Sequence, residues 1–293
     1  MMGDDTPPDG ADLIKSLPLY LLPHHALSRL MFAIARCRVP WFKNALIRWF
    51  ARRYAVNVSE AACRPLEFEH FNAFFTRALA RDARPVEGGD DDLTSPADGR
   101  VSQCGRIERG SLLQAKGLQY RLETLLGGDA ALSKTFSDGE FATIYLSPRD
   151  YHRVHIPCAG VLRETLYVPG RLFSVAPHTT RVIPDLFARN ERLVAVFDTP
   201  YGAMAVILVG AIFVAAIETV WGGLVTPPHR KSVVRRSFAV DPPRFRRGDE
   251  IGRFNMGSTV ILLFQKDRVR WDTALGPGHP MKTGQRIGRR VDS

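Results

Sequence analysis

The feature that most constrains the fold is a run of apolar residues from Ala203 to Ile217, AMAVILVGAIFVAAI. At 15 residues it falls short of the roughly 20 that a membrane-spanning helix needs. It is rich in Val and Ile, contains Gly210 and lies between Gly202 and Glu218, so it reads as one or two buried strands. Other short apolar segments follow Pro85 at intervals set by Gly and Pro: RVSQCGRI, FATIYL, GVLRETLYV, RLVAVFD and TVILLF. Helical stretches such as LETLLGG lie between them. The pattern predicts an α+β fold with a mainly antiparallel β core and interspersed helices. Apolar residues make up 45% of the 293 residues, enough for one sizeable core.

The amino-terminal part has a different texture. Residues 1–10 are polar and rich in Pro and Gly, and are expected to be disordered. Acidic residues there, and no basic segment followed by an apolar one, argue against a secretory signal. From Ala11 to Val56, Pro18, Pro23 and Pro40 divide the chain into short helical pieces. In the piece Trp41–Tyr54, Phe42, Ala45, Leu46, Trp49 and Phe50 recur at helical spacing, with Asn44, Arg48 and Arg52 on another side. The piece Ala26–Arg36 sets Leu27, Leu30, Met31 and Ile34 beside Arg29 and Arg36. Two readings fit: helices packed on the domain with a solvated basic face, or amphipathic helices lying on a membrane surface. The density of Trp, Phe, Leu and Arg favours the second. Segment 1–56 is therefore expected to be the membrane-surface unit and 57–293 the catalytic domain. Residues 57–85 are expected to be helical, with Phe68, Phe71, Phe74 and Phe75 on a packed side.

The formal net charge is +10, which calls for an anionic partner such as a nucleic acid or an anionic membrane. No helix-turn-helix, zinc-finger or RNA-recognition motif is present, so nucleic acid is not expected. The four cysteines are widely spaced without a CxxC, and read as ordinary thiols. No Cys or His cluster completes a metal-ligand set, so no metal is expected.

Three segments carry residues with chemical capability. SPADGRV places Asp98 before Gly99, which by itself reads as a turn. SPRDYHRVHIP holds His152 and His155, which alone could be structural. FNMGSTVILLF places Gly257 and Ser258 at the entrance to an apolar strand. Together an Asp, a His and a Ser form the parts of an activated nucleophile. The preceding Gly leaves its carbonyl unhindered and its backbone free to bend toward the hydroxyl. Such a set could attack its own peptide bond. An ordinary serine hydrolase is the alternative, although no GxSxG elbow is present.

These segments resemble a known family. FNMGSTVILLF is similar to the LGST cleavage motif of bacterial phosphatidylserine decarboxylases, SPRDYHRVHIPCAGVL to their histidine segment and SPADGRVSQCG to their aspartate segment. LFSVAPHTTRVIPDLFARNERL, ILVGAIFVAAIETVWGG and the TPP at Thr226–Pro228 continue the likeness in order. It runs from about Tyr54 to Gln265, weakens in the amino-terminal helices, and is nearest to the short membrane-bound bacterial type. The family's Leu before Gly-Ser-Thr is Met256 here, a swap of similar volume. The tail after the motif is short and basic.

The resemblance implies that Asp98, His155 and Ser258 form a self-cleavage triad. Attack of Ser258 on Gly257 and elimination would cut the chain into a β chain, 1–257, and an α chain, 258–293. Ser258 would become a covalent pyruvoyl cofactor (a bound pyruvate). That carbonyl would form a Schiff base with phosphatidylserine, accept the electrons released with carbon dioxide and yield phosphatidylethanolamine. His152, matching the family's first histidine, is the candidate proton donor. The implied partners are phosphatidylserine, the anionic membrane and the two chains of one precursor; a homodimer is compatible with the family but not indicated by these residues. The implied location is peripheral, on the cytoplasmic face of the inner membrane. A lipid hydrolase, a non-catalytic lipid-binding protein and a nucleic-acid binder are the rival classes.

Overall fold

The computed structural model describes residues 10–115, 117–212, 216–227, 230–255 and 258–291, with Ser258 described in its backbone alone. Met256 and Gly257, one side of the predicted cleavage bond, lie outside the described residues, as do the first nine residues.

Helices α1 (Gly10–Ser16), α2 (His24–Ala35) and α3 (Pro40–Arg53) precede a short α4 (Phe71–Phe75). The strands that follow are β1 (Asp92–Thr94), β2 (Gly99–Arg106), β3 (Ser111–Ala115), β4 (Leu118–Arg121), β5 (Glu140–Leu146), β6 (Arg153–His155) and β7 (Gly160–Val168). Next come β8 (Arg192–Thr199), β9 (Gly202–Val209), β10 (Ile217–Thr219), β11 (Gly223–Leu224), β12 (Val234–Ser237) and β13 (Arg244–Phe245). The last are β14 (Glu250–Phe254), β15 (Ser258–Phe264), β16 (Val269–Trp271), β17 (Pro280–Met281) and β18 (Arg286–Arg290). Short helices at Leu122–Leu125, Ala130–Phe136, Pro177–Thr180 and Leu186–Arg189 fill the connections. The fold is α+β, and the paired strands run antiparallel, as the sequence predicts.

A nine-stranded sheet, ordered β12-β7-β8-β9-β15-β5-β2-β17 with β13 also on β7, holds the main core. A four-stranded sheet, β11-β10-β14-β6, stands beside it. The apolar run becomes two strands, β9 in the large sheet and β10 in the small one. The same step is taken by two other chain segments. β5 of the large sheet leads to β6 of the small one, and β14 of the small sheet leads to β15 of the large one. Neighbours stay neighbours through the crossing: β14 lies between β10 and β6, and β15 lies between β9 and β5. Three adjacent strands thus change sheets side by side, and the Gly257–Ser258 link belongs to the middle one.

The segment 57–85 corrects the expectation of a helix. It contains a 3-10 turn at Pro65–Glu67, the five-residue α4 and a bridge between Ala61 and Leu79, with turns elsewhere. The phenylalanines are spaced for a helix, but Pro65 and the Ala61–Leu79 pairing break it. Their packing is as expected: Phe71, Phe74 and Phe75 are buried, with Phe68 packed against them. They form a second small core with Ala35, Ile47, Phe50 and Val56.

That core decides which side of α3 faces inward. Ile47 and Phe50 are buried, whereas Trp41 is 74% exposed and Trp49 56% exposed. The apolar face read from the sequence is therefore split, and two tryptophans point outward among Ala45, Arg48 and Arg52. In α2 the buried residues are His24, Ser28 and Ala35, while Leu30 is exposed.

Candidate active site

Asp98 sits just before β2 and is buried. Its carboxylate accepts hydrogen bonds from Arg84 Nε (2.8 Å to Oδ1) and Nη2 (2.5 Å to Oδ2), and from the backbone N–H of Thr283 (2.9 Å). Arg84 also donates to Glu60 at 2.8 Å. Gly99 starts β2 with φ near +154°, and a Cβ there would lie 2.2 Å from the Tyr145 carbonyl oxygen. The glycine is needed for the close approach of β2 to β5 rather than for a turn.

His155 ends β6. Its backbone N–H donates to the Pro96 carbonyl at 2.8 Å, which fixes the strand next to the Asp98 segment. The ring Nδ1 lies 2.7 Å from the Gly248 carbonyl oxygen, an acceptor only, so Nδ1 carries the proton. Nε2 is then an acceptor, 3.1 Å from the Tyr151 hydroxyl. Burial lowers the His155 pKa, outweighing the Gly248 hydrogen bond that raises it, so the ring is neutral. Burial also pushes the Tyr151 phenol up to about 12, which keeps it a donor. Asp98 and His155 share no hydrogen bond among the described residues. Asp98 acts on the ring through its charge, which favours the protonated form.

His152 lies in the β5–β6 crossing, in the segment Ser147–His152. It is fully buried and packed against Phe75, with ring centroids 4.0 Å apart and the planes tilted by 39°. Nδ1 donates to the Asp150 carbonyl at 2.8 Å, and Nε2 has no partner among the described residues. Burial lowers its pKa to about 3. The ring is therefore a neutral base with a bare, water-excluded lone pair.

Backbone pairing brings this histidine near the segments on either side of the predicted cleavage bond. The His152 carbonyl accepts the N–H of Phe254, and Ser258 stands opposite Leu146, the residue where β5 ends. Asn255 is held by its N–H to the Ala216 carbonyl (2.8 Å) and by Asn72 Nδ2 to its Oδ1 (2.7 Å). The chain entering and the chain leaving the Gly257–Ser258 bond are both fixed by buried hydrogen bonds. Tyr151, Arg84, Asn72 and Asn255 were not singled out in the sequence. Tyr151 and Asn255 had local signals, four residues before His155 in the histidine segment and two before Gly257 in FNMGST; Arg84 and Asn72 meet the site only through tertiary packing.

A cleft of about 1050 Å³ opens against this region. Asp98, Tyr145, Ser147, Arg149 and Asp150 line one part of it, and Arg53 and Tyr54 at the end of α3 line another. Arg100, Arg181 and Lys282 make its wall basic.

The comparisons with known proteins agree with the motifs. The family model described as phosphatidylserine decarboxylase matches residues 71–289, a span that includes Asp98, His152, His155 and Ser258. A second model, described as PSD, matches residues 14–55. A phosphatidylserine decarboxylase proenzyme of Pseudomonas fluorescens is 57% identical over 272 residues, covering 92% of this chain and 94% of that protein. A proenzyme of the same name from Pseudomonas putida is 55% identical, covering 94% of this chain and 96% of that protein. One from Azotobacter vinelandii is also 55% identical, covering 95% of this chain and 98% of that protein. The chain belongs to the phosphatidylserine decarboxylase family.

Proposed function

We propose that this chain is the precursor of a membrane-associated phosphatidylserine decarboxylase that cuts itself between Gly257 and Ser258 and turns Ser258 into a pyruvoyl group. The reading is supported by the Ser258 backbone lying at the triple strand crossing that carries the buried, neutral His152, with the half-buried His155 and the Asp98 charge at the adjoining end of β6. Within the family this arrangement has a direct use. His155, neutral and held by Gly248 and Tyr151, takes the Ser258 hydroxyl proton as the oxygen attacks the Gly257 carbonyl. Asp98 stabilises the imidazolium that forms, by charge rather than by contact. Loss of the Ser258 α-proton then expels the Gly257 carboxylate, and water hydrolyses the dehydroalanine, as its imine, to pyruvoyl with release of ammonia.

The bare Nε2 of His152 fits a pyruvoyl group formed at Ser258, because a buried lone pair without a partner calls for a ligand beside it. When formed, that group supplies an electrophilic carbonyl for the substrate amine and an electron sink for the departing carbon dioxide. His152 is assigned the protonation of the substrate Cα, for which Nε2 must first take up a proton. A buried imidazolium is then a strong acid, able to deliver that proton to the substrate Cα. The proton-donor role thus begins with a base.

The substrate is a bilayer lipid, so the site must meet the membrane. No helix among the described residues is long and apolar enough to cross one. Leu13, Ile14, Leu17, Leu21, Leu30, Trp41 and Trp49 are all exposed on the amino-terminal helices. With Lys15 among the first of them and Arg29, Arg48 and Arg52 among the later ones, they suit the interfacial region of an anionic leaflet. The reading assigns 1–56 to membrane contact and 57–293 to catalysis. It is tested by incubating the purified protein with phosphatidylserine vesicles. Wild type should form phosphatidylethanolamine and carbon dioxide, and Ser258→Ala should remain uncut and form neither. Turnover by an uncut Ser258→Ala chain would remove the pyruvoyl mechanism.

A further inference from the structure

Two residues beyond α4, Arg77 is only 4% exposed, yet it has almost no partner. Its Nε is buried without a hydrogen bond, and Nη2 makes one long bond, 3.4 Å, to the Arg149 carbonyl. Its guanidinium lies 5.6 Å from the Phe74 ring centroid. Among the described residues it has no ion pair, because the nearby carboxylates are engaged elsewhere. Glu60 and Asp98 bind Arg84, and Asp150 accepts from the Ser147 N–H and hydroxyl at 2.7 and 2.6 Å. A buried guanidinium with most of its donors idle is costly unless an anion completes it.

Its place is informative. Arg77 and His152 reach consecutive carbonyls of one segment, Arg149 and Asp150. Phe75, two residues before Arg77, packs against the His152 ring. Arg149 and Asp150 also line the basic cleft, so this segment separates the cleft from both side chains. A buried fork of idle donors thus stands near a buried idle acceptor. That pairing suits a small zwitterion, with its anion on Arg77 and its amine toward His152.

Resting on the decarboxylase reading above, we infer that Arg77 binds the phosphodiester of the lipid headgroup. The headgroup offers two anions, and the reaction distinguishes them. An arginine on the carboxylate would stabilise the charge that must leave as carbon dioxide, and so oppose the chemistry. An arginine on the phosphate holds a group unchanged from substrate to product, and its planar fork matches two phosphate oxygens. Arg77 then contributes to binding of substrate and product alike.

The test uses the self-cleaved enzyme and its Arg77→Gln and Arg77→Lys variants, with processing verified by mass. Arg77→Gln should raise KM for phosphatidylserine by roughly tenfold or more with kcat changed little, and Arg77→Lys should do so less. Glycerophosphoethanolamine carries the phosphate without the carboxylate, and its inhibition constant should rise in parallel. L-Serine carries the carboxylate without the phosphate, and its inhibition should be unchanged. Weakened inhibition by serine alone would assign Arg77 to the carboxylate and overturn the proposal. Unchanged KM and inhibition constants would make Arg77 a packing residue, as would a loss of kcat alone. If Arg77→Gln does not fold, Arg77→Lys carries the same comparison. Wild type that is cut but inert on phosphatidylserine would fail the decarboxylase reading instead, independently of any variant.

Discussion

At the residue scale, two histidines three positions apart have different surroundings and so different work. His155 is bonded on both ring nitrogens, through Gly248 and Tyr151, and sits within the field of Asp98. His152 is bonded on one and, among the described residues, bare on the other. His155→Ala should therefore stay one uncut chain on a denaturing gel, whereas His152→Ala should cut at least partly and decarboxylate poorly. Normal cutting by both would remove the assignment. Burial of His152 also has a cost in acid. Its folded pKa of about 3 lies below the ordinary 6.5, so the unfolded chain takes up the proton first as pH falls. Stability is unaffected above pH 6.5 and is lost between there and about pH 3, at about 1.4 kcal/mol per pH unit. Urea titrations of the uncut Ser258→Ala chain should show a loss of about 2 kcal/mol from this group between pH 6.5 and 5. A further His152→Gln change should reduce that loss; an unchanged pH slope would mean that the ring is not held neutral.

At the element scale, α3 joins the fold to its surroundings. One face, Ile47 and Phe50, closes the small core on Phe71 and Phe75, and the other presents Trp41 and Trp49 beside arginines. Removing residues 11–56 would uncover those phenylalanines and confuse unfolding with loss of membrane contact. Substituting the exposed tryptophans is cleaner: Trp41→Ser with Trp49→Ser should leave self-cleavage intact and weaken flotation with anionic vesicles several-fold. Full flotation of that variant would leave the membrane role without its aromatic anchor. The helical arc of α3 was legible in the sequence, but not its orientation. Apolar residues surround most of that helix, and periodicity alone does not say which half meets Phe71. The strands were legible because their Val and Ile runs are bounded by Gly and Pro. The 57–85 region was misread because phenylalanine spacing imitates a helix where the chain only turns.

At the scale of the whole molecule, the catalytic segments were legible as motifs, but their meeting place was not. Asp98, His155 and Ser258 stand far apart in the chain; the backbone bond from His155 to Pro96 sets the Asp98 and His155 segments side by side, and the sheet crossing brings the β5–β6 segment with His152 toward Ser258. Likewise Asn72 supports Asn255 across the fold, a pairing without any local signature. The same topology bears on the fate of the cut chain. β15 is central in the large sheet, with Val260 to Phe264 fully buried between β9 and β5. Burial of those five side chains contributes roughly 10 kcal/mol, and β17 and β18 add ladders to β2 and β1. The two products should therefore stay together in the native state and separate only on denaturation. The most direct measurement is the intact mass of the purified protein, taken natively and after denaturation. The account predicts one native species that resolves into 1–257 and 258–293, the smaller beginning with pyruvoyl in place of Ser258. A single uncut chain from a preparation that converts phosphatidylserine would contradict it.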